Sequence, residues 1–404
     1  MFGRLAKEVL LGCLFIGLCL PVRANTTTAE IAGDAAAASA AVAAPSVALI
    51  PSDAAVTAKQ VKIALLLPLR SVTLREAAEV VRAGFQTAYE HENDSISINV
   101  IETDDTPQDI LSGYKVASTQ SDIVVGPLSR SGVAAVVQDG AVNKPTIALT
   151  PPESLSNADA GTPPHRLPHK MLVIGLSIED EARQVADWAR KEHPDSKALV
   201  LLTKTAWQRR AAKAFELQWQ QQGLATEVVE LAANDGFLNG RALLQLKKQI
   251  QPDYPVVMFL ALDARQARQV RAIMGRSVAS YGTSQLNPFA LADRNDADRI
   301  DEMDETRLLD IPWQLQADHP AVMVYPQLAM STDRKRDADL ERLYALGIDA
   351  YRVAREIAMQ RTRFELDGVT GKLSVRFDKG NEHFARVVRR AVYRDGGVVF
   401  EDVR

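Results

Sequence analysis

Cysteine is nearly absent from this chain of 404 residues, which contains only Cys13 and Cys19. Both lie in an N-terminal stretch with a basic start, an uncharged apolar run over Val9–Leu20 and small residues up to Ala24. That pattern predicts a secretory signal peptide over residues 1–24, cleaved after Ala24. The exported chain would then hold no cysteine, which excludes disulfide bonds and thiol chemistry.

Long apolar runs are scarce as well. Val9–Leu20 is too short for a comfortable membrane span, and no later segment is long enough. The sequence Leu10-Leu11-Gly12-Cys13 does resemble a lipoprotein processing site. Cleavage there would leave an apolar segment of only about four residues, well below the roughly seven that a signal needs. We therefore expect cleavage after Ala24 and no lipidation at Cys13.

Motifs of enzyme chemistry are also missing. The sequence contains no glycine-rich phosphate loop, no nucleophile elbow and no His-Glu-x-x-His. His165 and His169 stand four apart, but they lie among prolines and no third ligand is adjacent. The acidic residues within 301–305 are better explained as a solvated loop than as a cation site. We predict no catalytic residue, no metal and no cofactor, and hence a protein that is not an enzyme.

Neither sign of charge is in large excess. The formal net charge is −4, so nothing favours nucleic acid as a partner. Hydrophobic residues make up 47% and charged residues 24%, which is typical of a globular protein. Residues 25–60 are instead rich in Ala, Thr, Ser, Pro and Val, which predicts a disordered, Ala-rich linker.

The folded part begins with Val61–Leu69, an apolar run of strand length. An amphipathic helical pattern follows, with Leu74, Val81 and Phe85 among its apolar positions. A continuous apolar strand is typical of a sheet that helices cover on both faces. We therefore predict an α/β domain with Val61–Leu69 as its first, central strand.

Strand and helix patterns then alternate, which favours parallel sheets with right-handed crossovers. Further strands are predicted at 95–101, 122–125, 145–149, 172–175, 197–203, 226–231, 254–260, 278–281 and 308–313. The third strand is followed by a predicted helix at Ser131–Asp139, and the longest helix is predicted at Asp339–Arg361. The chain ends in a predicted antiparallel tail with strands at 372–377, 387–393 and 398–403.

Two such α/β sets after a secretory signal resemble a type I periplasmic binding protein. The resemblance implies two lobes, each a mainly parallel sheet flanked by helices, with a cleft between them and three inter-lobe crossings. We expect the crossings near Leu172–Ser177, after Trp313 and near Thr370–Leu373. The predicted lobes are residues 61–173 plus 317–370 for lobe I and 174–316 plus 371–404 for lobe II.

Candidates for the cleft follow from topology, because open α/β sheets bind ligands at the carboxyl ends of their strands. These candidates are Ser71, Gly126, Pro127, Ser129, Ser131, Thr150, Ser177, Ser284 and Gln285. Ser129 and Ser131 stand at a predicted helix N-terminus, where free backbone N–H groups attract a carboxylate. The alternative is that Ser131 merely caps its helix.

Two features are candidates for contact with a partner. Trp313, after Pro312, is either a packing residue at a lobe junction or an anchor for a partner. The basic run of Arg334, Lys335 and Arg336 is either a solvated turn or a patch that attracts an acidic surface. All four basic or aromatic side chains stay candidates at this point.

Several segments together resemble one family. In chain order they are Ile63–Leu69, Val125–Leu128, Ser177–Ala182, Thr283–Gln285, Asp310–Trp313, Tyr344–Tyr351 and Gly368–Ser374. Asp310-Ile311-Pro312-Trp313 and Tyr344–Tyr351 carry most of the weight. Over about residues 61–404, this order resembles the C-terminal domain of the LpoA-type activators of penicillin-binding proteins.

The resemblance implies a non-enzymatic regulator that contacts a class A penicillin-binding protein and raises its peptidoglycan synthesis. It also implies a periplasmic location, associated with the inner face of the outer membrane, and peptidoglycan as a further candidate partner. We expect two departures from the longer members, which are no lipidation at Cys13 and no preceding helical-repeat domain.

The alternative is a solute-binding protein that delivers amino acids or similar small anions to an ABC transporter. A small-molecule ligand is left open, and a monomer is expected in either case. If the protein is a regulator, we expect its contact surface on an exposed lobe face and not within the cleft.

Overall fold

The computed structural model describes residues 60–92, 95–153, 167–250, 256–287, 300–328, 337–378 and 380–401. The predicted signal peptide and almost all of the predicted linker lie outside the described residues, as do His165 and the basic run of Arg334, Lys335 and Arg336.

The strands are β1 (Val61–Leu67), β2 (Ile96–Glu102), β3 (Ile123–Val125), β4 (Thr146–Ala148), β5 (Met171–Val173), β6 (Lys197–Leu202), β7 (Thr226–Glu230), β8 (Ala233–Asn234), β9 (Phe237–Leu238), β10 (Val256–Ala261), β11 (Ala279–Gly282), β12 (Arg307–Asp310), β13 (Arg363–Gly368), β14 (Gly371–Asp378), β15 (Asn381–Val387), β16 (Arg389–Arg394) and β17 (Gly397–Phe400). The helices are α1 (Arg75–Glu92), α2 (Pro107–Gln120), α3 (Arg130–Gln138), α4 (Ile178–Glu192), α5 (Ala206–Gln221), α6 (Gly240–Gln249), α7 (Ala264–Met274), α8 (Pro312–Leu315), α9 (Pro320–Met323) and α10 (Ala338–Ala358). Short 3-10 helices lie at Ser284–Leu286 and Asp301–Met303.

A five-stranded parallel sheet in the order β2-β1-β3-β4-β5 forms the first lobe. Its first strand in sequence, β1, lies inside the sheet, and residues Ile63 to Leu67 are at most 1% exposed. Such a strand needs a continuous apolar run because helices cover both faces of the sheet. The predicted parallel arrangement of this part of the chain is therefore confirmed.

The second lobe is built on a seven-stranded sheet in the order β17-β16-β12-β11-β10-β6-β7. Its strands from β6 to β12 are parallel, and β16 and β17 extend it in antiparallel order. The chain passes from the first lobe to the second after β5, and returns after β12 to α10, which packs on α1. It reaches the second lobe again at β16.

The end of the chain differs from the predicted single antiparallel tail. β14 pairs with β13 and β15 in a separate three-stranded sheet, whereas β16 and β17 join the second lobe. The two strands that we did not predict are β13 and β15. Polar and apolar residues alternate in β13, because only one face of this sheet is buried, and β15 is mostly polar. Apolar runs therefore gave no signal for them.

A second correction concerns the strand predicted over Leu308–Trp313. β12 ends at Asp310, and Pro312 begins the short helix α8. Proline suits the first helical position because its missing N–H would have no partner there. The Pro-Trp corner is therefore the start of a helix.

The first lobe depends on a close crossing of α1 and α10. A Cβ built on Gly84 would lie 2.0 Å from the Tyr344 carbonyl oxygen, and one built on Gly347 would lie 2.2 Å from that of Val81. Phe85 and Tyr351 pack edge to face beside the crossing, with ring centroids 5.3 Å apart. The two glycines let the helix backbones touch, and this contact seats α10 in the first lobe.

We expect Gly347→Ala to lower the free energy of unfolding by about 2 kcal/mol or more, because the added methyl group cannot fit without separating the helices. Chemical denaturation would measure the change. Gly240→Ala is the matched control, since a Cβ at Gly240 in α6 meets nothing within 4 Å. Equal shifts in the two variants would contradict the importance of the crossing.

Candidate functional site

Ser71 lies just beyond the carboxyl end of β1 and is buried. Its Oγ accepts hydrogen bonds from the backbone N–H groups of Thr73 (3.1 Å) and Leu74 (3.0 Å) and donates one to Asp105 Oδ2 (2.9 Å). Thr73 and Ser71 both donate hydroxyl hydrogen bonds to Asp105, which hold the pKa of this carboxyl below its usual value. The hydrogen bonds of the Ser71 hydroxyl thus form the turn into α1.

Gly126 and Pro127 are buried between neighbouring strands. The Gly126 N–H donates to the Ile147 carbonyl at 2.8 Å, and the Leu149 N–H donates to the Pro127 carbonyl at 3.0 Å. Gly126 has φ +115°, and a Cβ there would lie 2.2 Å from the Leu66 carbonyl oxygen. Only glycine is comfortable in this position. The backbone of this loop therefore continues the pairing of β3 and β4 beyond the ends of the two strands.

The start of α3 corrects one prediction. Ser129, and not Ser131, is the N-cap, and its Oγ accepts a hydrogen bond from the Gly132 N–H at 3.1 Å. Ser129 has the extended backbone of a capping residue, which moves the helix start to Arg130. Ser131 lies half-buried in the first turn. Ser129, one of the two serines predicted to lie at an anion-binding helix N-terminus, thus caps the helix with its hydroxyl group.

Ser177 is the N-cap of α4, as predicted, and accepts from the Asp180 N–H at 3.1 Å. Its hydroxyl donates to Glu179 Oε2 at 3.1 Å. Glu179 Oε1 accepts from Arg210 Nε at 2.8 Å and lies 3.5 Å from Arg130 Nη2. Burial raises the pKa of Glu179, but the backbone and the two arginines outweigh it, so the net pKa lies below the ordinary value.

Ser284 lies beyond β11 and is buried. Its N–H donates to Glu181 Oε2 at 2.8 Å, and its carbonyl accepts from Arg342 Nη2 at 3.2 Å. Arg342, which comes from α10, donates to Asp310 through Nε (3.0 Å) and Nη2 (2.6 Å). We call Glu181, Ser284, Asp310 and Arg342 the junction network. Gln285 lies at its edge, with Nε2 3.4 Å from an Asp339 carboxylate oxygen.

Within the junction network, the charges of Asp310 and Arg342 are buried and paired with each other. Asp310 is 0% exposed, and each of its oxygens accepts two hydrogen bonds, from Arg342 and from the Ile311 N–H or the Asn287 amide. Burial lowers the pKa of Arg342, but Asp310 outweighs it, so this pKa lies above its ordinary value. Removing one partner of such a pair costs about 3–5 kcal/mol.

A second set of hydrogen-bonded side chains lies near the places where the chain passes between the lobes. Asp349, on α10, accepts from the Thr370 N–H at 2.8 Å and from its hydroxyl at 2.6 Å. Arg386 donates to Thr370 Oγ1 (3.0 Å) and to the carbonyls of Gly175 (2.9 Å) and Ile174 (2.7 Å). Burial lowers the pKa of Arg386 to about 10. Arg386, just before β16, thus ties the segment after β5 to the turn between β13 and β14.

Trp313 lies at the second crossing and is 2% exposed. The backbone N–H of Trp313 donates to the Val369 carbonyl at 3.0 Å, and the centroid of its indole ring lies 5.4 Å from that of the Tyr344 ring. A side chain so covered packs at the junction and offers no surface to a partner in this conformation. The other candidate contacts, Arg334, Lys335 and Arg336, lie outside the described residues.

A groove of about 610 Å³ opens beside Ser177 and Glu179, between β5, β15, α4 and α5. Leu217 and Phe384 are among its apolar lining residues, and Arg210 lines it as well. The Glu179 carboxylate can therefore be reached from this groove. Thr150, the remaining predicted residue, is half-buried.

Within the described residues, no group of three or more His, Cys, Asp or Glu side chains is placed to hold a metal ion. The helices of that part of the chain include none that is long and apolar enough to cross a membrane.

Sequence reasoning missed the charged residues that connect the lobes, which are Arg130, Glu179, Arg342, Asp349 and Arg386. One of them did have a readable signal. Asp349 is the lone charge in Tyr344–Tyr351, where every residue is buried. A charge within an apolar run on a helix needs a buried partner. The other four carry no such local signal, and only their tertiary partners distinguish them.

We expect the stability of Glu181→Gln to depend less on pH than that of the wild type. Burial raises the pKa of Glu181 to about 7, above the ordinary 4.5. Its contribution is therefore fully present below pH 4.5 and is lost as the pH rises through about 7. Between about pH 5 and about pH 8 the wild type should lose on the order of 1–3 kcal/mol more than the variant, measured by urea denaturation.

Glu230→Gln is the control for that measurement, since Glu230 is an exposed carboxylate on β7. Its pH profile should follow that of the wild type. If Glu181→Gln also followed the wild type, the carboxyl group would titrate normally and the expectation would be wrong.

A family model described as "LppC putative lipoprotein" matches residues 38–396. Among curated proteins, "Penicillin-binding protein activator LpoA" of Pasteurella multocida (strain Pm70) is 27% identical over 343 residues, which are 84% of this chain and 54% of that protein. The chain thus spans about half the length of the curated relatives it matches.

Two solved structures are similar over most of the chain. The C-domain of LpoA (YraM) from Haemophilus influenzae, described as a regulator of PBP1A, has a TM-score of 0.65 at 23% identity and covers 84% of this chain and 100% of that one. A protein described as "a putative branched-chain amino acid ABC transporter" from Chromobacterium violaceum ATCC 12472 has a TM-score of 0.62 at 31% identity and covers 83% and 100%.

These likenesses confirm the predicted fold of a type I periplasmic binding protein with two lobes. The resemblance to the LpoA-type activators is confirmed as well. Because the family model extends over most of the sequence, this chain belongs to the family described as LppC putative lipoprotein.

Proposed function

We propose that this chain is a non-enzymatic regulator of the cell envelope that binds a class A penicillin-binding protein and raises its peptidoglycan synthesis. One observation carries the proposal. The curated relatives of this chain are named as penicillin-binding protein activators, and its match to an LpoA structure extends over the whole of the domain described as a regulator of PBP1A.

The cleft supports a regulator more than a solute carrier. The polar groups that would meet a ligand at the sheet edges already have partners within the chain: Ser71 holds Asp105, Ser129 caps α3, and the Ser284 N–H binds Glu181. A solute-binding protein needs such donors for its ligand. Their use inside the fold leaves surface contact as the mode of action.

The mechanism that fits is a population shift in the partner enzyme. A regulator activates when it binds the active arrangement of the enzyme more tightly than the inactive one. Lobes whose relative position is already set lose little further conformational entropy on docking, and such preorganisation favours binding.

We also propose that the chain acts in the periplasm at the inner face of the outer membrane. The description of its family as a lipoprotein supports attachment to the envelope.

A second candidate function is solute binding for an ABC transporter. It is favoured by the Chromobacterium violaceum protein, which is 31% identical and is described as a transporter of branched-chain amino acids. This reading needs a ligand that closes the two lobes by a hinge motion.

We expect the purified chain, without residues 1–24, to raise glycan polymerisation or crosslinking by the class A penicillin-binding proteins of its own organism. Synthesis from lipid-linked precursor would be measured with and without the chain, alongside pull-down of the enzyme. The heat-unfolded chain is the control. No rise and no association, together with a thermal shift on adding leucine or valine, would favour the solute-binding function instead.

We further expect the contact surface to lie on an exposed lobe face. Charge reversals on such faces should lower association with the enzyme, whereas conservative substitutions that line the cleft should leave it unchanged. Surface plasmon resonance would compare the two sets. Loss of binding confined to the cleft set would show that this placement is wrong.

A further inference from the structure

Three side chains converge on the carboxylate of Glu179. Arg210 and Arg130 approach one oxygen, at 2.8 Å and 3.5 Å, and the Ser177 hydroxyl donates to the other at 3.1 Å. The Glu179 side chain is 10% exposed, while those of the two arginines are 26% and 28% exposed. The contact with Arg210, at 2.8 Å, is a charge-assisted hydrogen bond, which is stronger than one between neutral groups, whereas Arg130, at 3.5 Å, acts mainly through its charge.

The converging side chains come from both lobes. Arg130 is the first residue of α3 in the first lobe, whereas Arg210 lies in the first turns of α5 in the second lobe. Ser177 and Glu179 stand where the chain first enters the second lobe. A carboxylate at this point is therefore bound by both lobes at once.

The pair of Arg209 and Glu230 shows what an ordinary ion pair looks like in this chain. It also joins α5 to a neighbouring element at 2.8 Å, but its side chains are 55% and 47% exposed. Exposed pairs contribute about 0–1 kcal/mol. The carboxylate of Glu179, by contrast, is buried, has three donors and lies at the edge of a groove.

We propose that Arg130, Ser177 and Arg210 form a carboxylate-binding site that spans the two lobes, and that Glu179 is its built-in ligand. The ligand class is a small carboxylic acid. The groove of about 610 Å³ would take the apolar body of such a ligand against Leu217 and Phe384.

Occupation by Glu179 has a direct consequence. A tethered carboxylate competes with effective concentrations in the millimolar range or above, so free acids at lower concentration do not displace it. The wild-type chain therefore needs no ligand to hold its lobes together at this point. Removal of the tethered carboxylate should expose the site to acids from solution.

The test is chemical rescue of Glu179→Ala. We expect this substitution to lower the melting temperature by roughly 3 °C or more, because it removes the carboxylate that both arginines approach at this point. Acetate or propionate should then restore the melting temperature in a saturable way, with an apparent Kd that is roughly millimolar. Chloride at the same ionic strength should not.

Three controls define the result. The wild type and Glu230→Ala, at the exposed pair, should show no rise with acetate, and the double variant Glu179→Ala/Arg130→Gln should lose the rescue. A rise of equal size in all variants, or none beyond that of chloride, would overturn the proposal.

Glu179→Gln provides a measurement that can be made even if Glu179→Ala does not fold, since glutamine keeps the shape of the side chain. Its loss of charge should speed hydrogen exchange in both α3 and α4, which lie on opposite sides of the site. Unchanged exchange in α3 would overturn the bridging role. Neither result depends on whether the chain activates a penicillin-binding protein, so the two proposals can fail separately.

Discussion

The buried ion pair between Arg342 and Asp310 is the contact on which the arrangement of the two lobes depends. Arg342 belongs to the helix that crosses α1 in the first lobe, and Asp310 ends the strand from which the chain leaves the second lobe. A buried charge without its partner costs several kcal/mol, so any motion that separates α10 from β12 is opposed. Glu181 lies against the same pair, and its burial, together with the charge of Asp310, raises its pKa to about 7.

The backbone at the crossings adds a second constraint. Segments between sheets lack strand partners for their polar groups, and these groups must be satisfied in another way. Here the Arg386 side chain donates hydrogen bonds to the carbonyls of Ile174 and Gly175, and the backbone N–H of Trp313 donates to the Val369 carbonyl. Hinged proteins close by changing φ and ψ at a few residues of this kind. Hydrogen bonds from side chains of neighbouring segments oppose such changes.

The sequence predicted those parts of the fold that depend on local pattern. The run at Val61–Leu69 identified an interior parallel strand, and the segments Asp310–Trp313 and Tyr344–Tyr351 identified the family. Both segments prove to lie at the junction of the lobes, where their residues are buried. What could not be predicted depends on partners distant in sequence. Arg342 lies 32 residues from Asp310, and nothing local marks it as buried. The strand β15 likewise reads as polar, because one face of its sheet meets solvent.

The shared fold of a solute carrier and a regulator raises the question of what distinguishes them. The architecture does not, since both classes occur among the structures similar to this chain. The distinction lies in whether the polar groups at the strand ends remain available to a ligand. In this chain serines cap helices, the Ser284 N–H donates to Glu181, and Glu179 binds Arg130 and Arg210. Each of these groups is bonded to another group of the chain, whereas a solute carrier would leave such groups available to its solute. A fold whose polar groups are bonded in this way is suited to binding through its outer surface.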